Sequence, residues 1–417
     1  MKKYYLLIIL AIIVPITLRF FDANFLDQRL VNYVSFLTVW GLISLAVILG
    51  PYKEGPFNLP VKLIFFSILF SIVMANYSWD QKYWDSLIEY TQYLIWPLFF
   101  VLIGVNMPIK TIEKVVVAYG LVYVGLYLFQ YINSGTVFFG KPLWGEEFLE
   151  SRGTVRIIFP AKGVFLLSIF IAITKITSEE SKNKWFWVII AALGLVIPIM
   201  QVTRQYIAGV LLIYVLHFSK ATSNIKKVLF LLIFSLGFMV LIQSEIPMVK
   251  GLMDTQKESD TRVDENYIRV LAGKYFITDL SPNFWSQVFG NGSPYWGMST
   301  YGKFIENLAD RKGYFLSDLG LIAVYAMFGI FAVAGYILIW IKSLTVPIPP
   351  KYHYAKYYLW YLLITSFTGA SLYFYHYLIA TVFALYIFQK SYWMESKKRK
   401  IINLIKILET DKPKELK

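Results

Sequence analysis

The feature that most constrains this chain is a repeated one: apolar stretches of membrane-crossing length, separated by polar breaks. They fall near 4–18, 30–50, 59–75, 87–105, 112–132, 160–176, 185–201, 204–218, 226–243, 316–341, 356–372 and 374–389. A bilayer core takes about 20 helical residues per crossing. Unpaired backbone is not tolerated in lipid, so such a series folds as a helical bundle. The predicted fold class is all-α: a polytopic transmembrane bundle of about 12 spans. Spans 1–9 occupy 1–243, and a large extracytoplasmic loop with short amphipathic helices occupies 244–315. Spans 10–12 occupy 316–389, and a basic cytoplasmic tail follows at 390–417. Composition agrees, because a soluble domain that is 57% hydrophobic and 16% charged could not cover its own surface. Cysteine is absent, which excludes disulfides and thiolate chemistry. Three histidines and no acidic or histidine cluster argue against a metal site.

The net charge of +14 does not point to nucleic acid, because nine of the 40 basic residues lie after Gln389. In that tail Ile401, Leu404, Ile405 and Leu408 recur at helical spacing, as in a segment lying on the anionic inner surface. The first 20 residues lack a small-x-small cleavage site and read as an uncleaved helix. With the amino terminus inside, the short inner segments and tail carry 24 basic residues and the short outer segments eight. That bias puts both termini in the cytoplasm.

A second asymmetry separates arginine from lysine. Eight of nine arginines fall on the outer side: Arg19, Arg29, Arg152, Arg156, Arg204, Arg262, Arg269 and Arg311. Topology needs positive charge of either kind, whereas only arginine offers a planar fork for phosphate or carboxylate. Cations cluster at three outer helix starts: Arg152, Arg156 and Lys162 around Pro160; Arg204 in the turn between the seventh and eighth spans; and Arg311 with Lys312 before the tenth. A helix amino terminus already presents positive partial charge, so an anion is expected between it and an arginine. Lipid phosphate is the bland anion, and it suffices for Arg19 and Arg29. A phosphorylated substrate is the sharper reading for Arg204. Within the loop, VDENYIRVLAGKYFITDL reads as an amphipathic helix turning Ile268, Leu271, Tyr275 and Phe276 toward the membrane or the spans, with Glu265 and Arg269 paired at i,i+4. FWSQVFGNGSPYWG supplies turn glycines and interfacial aromatics, and GKFIENLADRKG a second short helix. The spans hold almost no acids, which weighs against an ion-coupled transporter.

Three features together resemble the O-antigen polymerase and O-antigen ligase group of bacterial membrane glycosyltransferases. These are the span count with one late outer loop, the Thr203-Arg204 turn, and the series NYIRVLAGKYFI, VFGNGSP and FLSDLGLIAVYAMFG. The resemblance implies an undecaprenyl-diphosphate-linked oligosaccharide as substrate at the bacterial cytoplasmic membrane, used without cofactor or metal. Membrane lipid, a chain-length regulator and a flippase are the implied partners. It assigns Arg204 and Arg269 as diphosphate clamps; charge and position add Arg156, Arg152, Lys162 and Arg311. Ligases of the group carry a loop histidine that is lacking here, which favours a polymerase over a ligase; a lipid-linked oligosaccharide flippase is the alternative from another class. Asp318, Glu265, Asp310 and His376 stand as candidates for the general base.

Overall fold

A computed structural model describes residues 2–221 and 267–410, apart from Pro51, 143–146, Leu149, Arg152, Gly153, Glu180, Lys182, Val202 and Thr368. The chain is predominantly helical, and its only described strands are four two-residue pieces between 141 and 158. Four described helices are long and apolar enough to cross a membrane: Gln28–Ile48, Asn58–Trp79, Ile109–Ile132 and Leu321–Thr345. Each begins with a local stop to the preceding chain. The Asp27 side chain, for example, accepts from the Arg29 N–H at 2.8 Å, satisfying an otherwise orphaned donor. Leu37, Val47 and Ile48 on the first of these helices are exposed, as expected of a face turned to lipid.

The middle of the bundle is Lys162–Thr177, where every residue from Gly163 to Thr174 is buried. A helix apolar on all sides must be surrounded. Here Ile109–Ile132, Lys184–Met200, His353–Thr365 and Tyr375–Thr410 surround it.

Two ends of the bundle differ in chemistry. At one, Lys390 donates to Asn106 Oδ1 at 2.8 Å, Lys175 faces Glu113 at 3.4 Å, and Lys220 and Lys356 lie over the Trp360 ring. At the other, Arg19 approaches Tyr375, and Arg156 and Arg204 flank the starts of Lys162–Thr177 and Arg204–Ala221. The second end is not purely arginine, since Lys141 and Lys162 lie there as well.

The segment after Tyr267 folds onto the bundle. Ile268–Thr278, Phe284–Phe289 and Thr300–Lys312 form helices, the last capped by Ser299 Oγ and closed by Gly313 at φ 67°. Between them Asn291 and Gly292 donate to the Ala326 and Met327 carbonyls at 2.8 Å each. Helix Leu321–Thr345 exposes those carbonyls because it breaks at Gly329, φ 79° and ψ −177°. Gly290 and Gly329 face each other so closely that a Cβ on either would strike the other's backbone. The loop is therefore anchored in the break of a long helix.

Several sequence expectations are corrected. The stretch 87–105 is not one helix: Tyr83–Tyr90 and Pro97–Gly104 are separated at Pro97, which cannot donate to an earlier turn. The stretch 356–372 is helical only to Thr365, and Ser366 instead accepts from Leu321 N at 2.8 Å. The described part of the basic tail, 390–410, continues the last helix, since Tyr375–Thr410 is one helix of 36 residues. On Ile268–Thr278 the residues buried against the bundle are Ala272, Gly273 and Phe276, while Ile268 and Leu271 are 43% and 38% exposed, an orientation open to lipid. Arg311 and Lys312 close Thr300–Lys312 rather than open the next helix, and there their charge complements the dipole. The expected span at 226–243 lies outside the described residues.

Candidate functional site

At the arginine end the chain turns through Arg19–Asp22 with four consecutive residues in the left-handed region. Their φ values are 51°, 51°, 63° and 50°. Each such residue costs roughly 1–2 kcal/mol, so the surroundings must hold the turn in place. Asp22 is the holder. Buried, it accepts from the Tyr375 hydroxyl at 2.5 Å and faces Arg19 Nε at 3.7 Å and Lys141 Nζ at 3.9 Å. The Gly140 N–H donates to the Phe21 carbonyl at 3.1 Å and closes the turn from the other side. Burial holds Lys141 below the usual lysine range, against the pull of Asp22. Strain held this firmly is characteristic of functional sites. Asp22→Ala is expected to destabilise the protein by about 3 kcal/mol, because it strands buried partners. Thermal unfolding in detergent checks this, and an unchanged midpoint would show that the carboxylate does not hold the turn.

A cavity of about 440 Å³ opens beside the turn. Arg19, Arg29, Asn32, Glu89, Gln92, Tyr295 and Tyr375 contribute polar groups to its lining, and Ile16, Val39, Ile95, Leu378 and Ile379 contribute apolar wall. Glu89 lies at the end of the short helix Tyr83–Tyr90. Its Oε1 accepts from Gln92 Nε2 at 2.6 Å and from Ser293 Oγ at 3.4 Å, while Oε2 has no hydrogen-bond partner among the described residues. The loop reaches this place through Gln81, which donates to the Ser293 carbonyl at 3.0 Å and accepts from Tyr295 N at 3.0 Å and Ser299 Oγ at 2.8 Å. One buried glutamine thus fixes the loop wall of the cavity.

From Tyr375 the site continues to His376 and Lys162. Helix Lys162–Thr177 begins directly against this segment: a Cβ on Gly163 would lie 2.6 Å from Tyr377 Cα and 2.9 Å from the His376 carbonyl. The Lys162 ammonium lies 4.8 Å from the centre of the Tyr206 ring, and the Arg156 charge acts on it. The charges of Lys162, Lys141 and Arg19 all act on the His376 imidazole. That ring is buried, 4.3 Å from Phe374 and 4.4 Å from Tyr375, with Nε2 unpartnered among the described residues.

Of the remaining sequence candidates, Arg204 lies two residues before Tyr206, whose ring Lys162 covers, and the others are dispersed. Arg204 opens its helix, and its neighbour Gln205 fixes that start by donating to the Thr365 carbonyl at 2.5 Å. Arg269 and Asp318, expected in separate roles as clamp and base, form one ion pair at 3.0 Å. Asp310 and Arg311 are exposed on Thr300–Lys312. Glu265 and Arg152 lie outside the described residues. The sequence offered Arg19 only a lipid phosphate and gave Asp22, Glu89 and Lys141 no role in a site. For Glu89 a signal existed, an acid inside the apolar stretch 87–105. For Asp22 there was none, since its role comes from a turn of unusual handedness.

Comparison with known proteins leaves the geometry to speak alone. No family model matches the chain, and no curated protein is significantly similar to it.

Proposed function

We propose that this protein polymerises undecaprenyl-diphosphate-linked oligosaccharide repeat units of a surface polysaccharide. It works at the outer face of the bacterial cytoplasmic membrane, crossing it about twelve times with both termini inside. The observation that carries the reading is the gathering of Arg19, Lys141, Arg156 and Lys162 at one end of an apolar helical bundle, around the segment Phe374–Tyr377. Four cations outnumber the Asp22 carboxylate that Arg19 and Lys141 share. They suit a lipid-borne diphosphate, whose hydrocarbon remains in the bilayer while its charge is met by protein.

The reaction is the one that the resemblance to O-antigen polymerases implies. A sugar hydroxyl of one lipid-linked unit attacks the anomeric carbon of another and gives up its proton. The carbon–oxygen bond to diphosphate breaks, and undecaprenyl diphosphate leaves with the electron pair. Negative charge grows on the leaving group, so preorganised cations lower the barrier. Arg204, Arg156 and Lys162 are the residues assigned to it, with Arg269 at the loop side.

The test is deletion of the gene and complementation, reading surface glycan on a gel. The deletion strain is expected to make single repeat units and no ladder, and the wild-type gene to restore the ladder. Unchanged ladders in the deletion would overturn the reading, and accumulation of inward-facing lipid-linked units would replace it with a flippase. Arg269→Ala gives a cleaner arm. Its ion pair with Asp318 is about two-fifths exposed on both sides, so losing it is expected to cost under about 1 kcal/mol. A lost ladder at normal protein level would therefore report substrate contact, whereas a normal ladder would remove Arg269 from the site.

A further inference from the structure

We propose that the cavity beside the Arg19–Asp22 turn is a binding site for the headgroup of a lipid-linked saccharide, separate from the cations at Lys162 and Arg204. The inference stands on the cavity's construction and adds to the function above the place where a second lipid-linked substrate sits.

Three features of the lining specify the occupant. The first is charge. Arg19 and Arg29 both line the cavity, from opposite sides of the break between the first two helices. Arg19 donates one bond to Asn32 Oδ1 at 3.1 Å and turns its buried Nε to the Asp22 carboxylate at 3.7 Å, so its remaining guanidinium N–H groups are what it offers the cavity. Arg29 is exposed and its side chain has no partner among the described residues. Two guanidinium groups with donors to spare match a phosphate or diphosphate. The second is Glu89. Gln92 and Ser293 both donate to Oε1, so Oε2 remains as an acceptor toward the cavity, which Glu89 lines. A carboxyl oxygen there forms hydrogen bonds with hydroxyls, so the group beyond the phosphate should bear hydroxyls, as a sugar does. The third is the apolar wall. Ile16, Val39, Ile95, Leu378 and Ile379 offer hydrocarbon contact to the first carbons of a chain whose remainder lies in lipid. About 440 Å³ holds a headgroup and not a long isoprenoid.

An anionic bilayer lipid carries the same phosphate chemistry, and the experiment separates the two. The full chain in nanodiscs of phosphatidylcholine is titrated with farnesyl diphosphate and with the same lipid bearing N-acetylglucosamine on the diphosphate. Both are expected to bind, and farnesol is expected not to. Arg29→Ala should weaken both probes about tenfold. Glu89→Gln should weaken the sugar-bearing probe while leaving farnesyl diphosphate binding unchanged. Thr91→Trp, filling the cavity from a half-buried position, should abolish both. Equal competition by phosphatidylglycerol, or variants that bind the probes as wild type does, would overturn the proposal. If the chain binds in this pattern but makes no ladder in cells, the polymerase reading fails and the binding site stands.

Discussion

Arg204→Ala is expected to leave a deletion strain making single repeat units, with ladder intensity down at least 100-fold at unchanged protein level in the membrane. The magnitude follows from removing one preorganised donor at developing charge, which costs about 10²–10³ in rate. The structure supplies the reason to expect so large an effect. Arg204 is the first residue of an 18-residue helix whose start is fixed on both sides. Gln201 donates to the Tyr123 hydroxyl at 2.6 Å before it, and Gln205 to the Thr365 carbonyl at 2.5 Å after it. A charge held on so fixed a turn has little reorganisation to undergo. Arg204→Lys keeps the charge but loses the fork, so it should restore a short or faint ladder. Full ladders from the alanine variant would remove Arg204 from the site.

The second large effect concerns folding. Gly290→Val is expected to abolish stable protein, and Gly329→Val to do the same. Both positions have positive φ, 83° and 79°, where a β-branched residue is strained. At each a Cβ would also collide with backbone of the facing segment, which cannot move aside as a side chain could. Costs above about 4 kcal/mol arise from such combinations. Loss of the folded peak in detergent size exclusion checks the expectation. Gly297→Ala is the contrast: φ is 68° but nothing lies within 4 Å, so only the backbone cost of about 1 kcal/mol applies. Normal yield of the Gly290 variant would show that the loop does not depend on its seat in the broken helix.

The helices were legible in the sequence where one element carries its own signal. The long apolar runs became Gln28–Ile48, Asn58–Trp79 and Ile109–Ile132 within a few residues of their expected limits. Breaks were not legible. Pro97 in PLFFVLIG and Gly329 in AMFGIF lie in runs as apolar as any intact helix, and hydropathy is blind to a missing hydrogen bond. Nor could spacing show that Asp318, 49 residues after Arg269, would become its partner. The cavity was hidden for the same reason. Arg19, Glu89, Tyr295 and Tyr375 come from four distant parts of the chain and meet only in the folded molecule.

The central claim is that cations at one end of this bundle serve transfer between lipid diphosphates. Its most direct test is to incubate the purified chain in liposomes with undecaprenyl-diphosphate-linked repeat units and follow the lipid product. The account predicts a ladder of growing oligosaccharide with one undecaprenyl diphosphate released per linkage, and no requirement for nucleotide sugar. Repeat units that stay single, with no undecaprenyl diphosphate released, would contradict it.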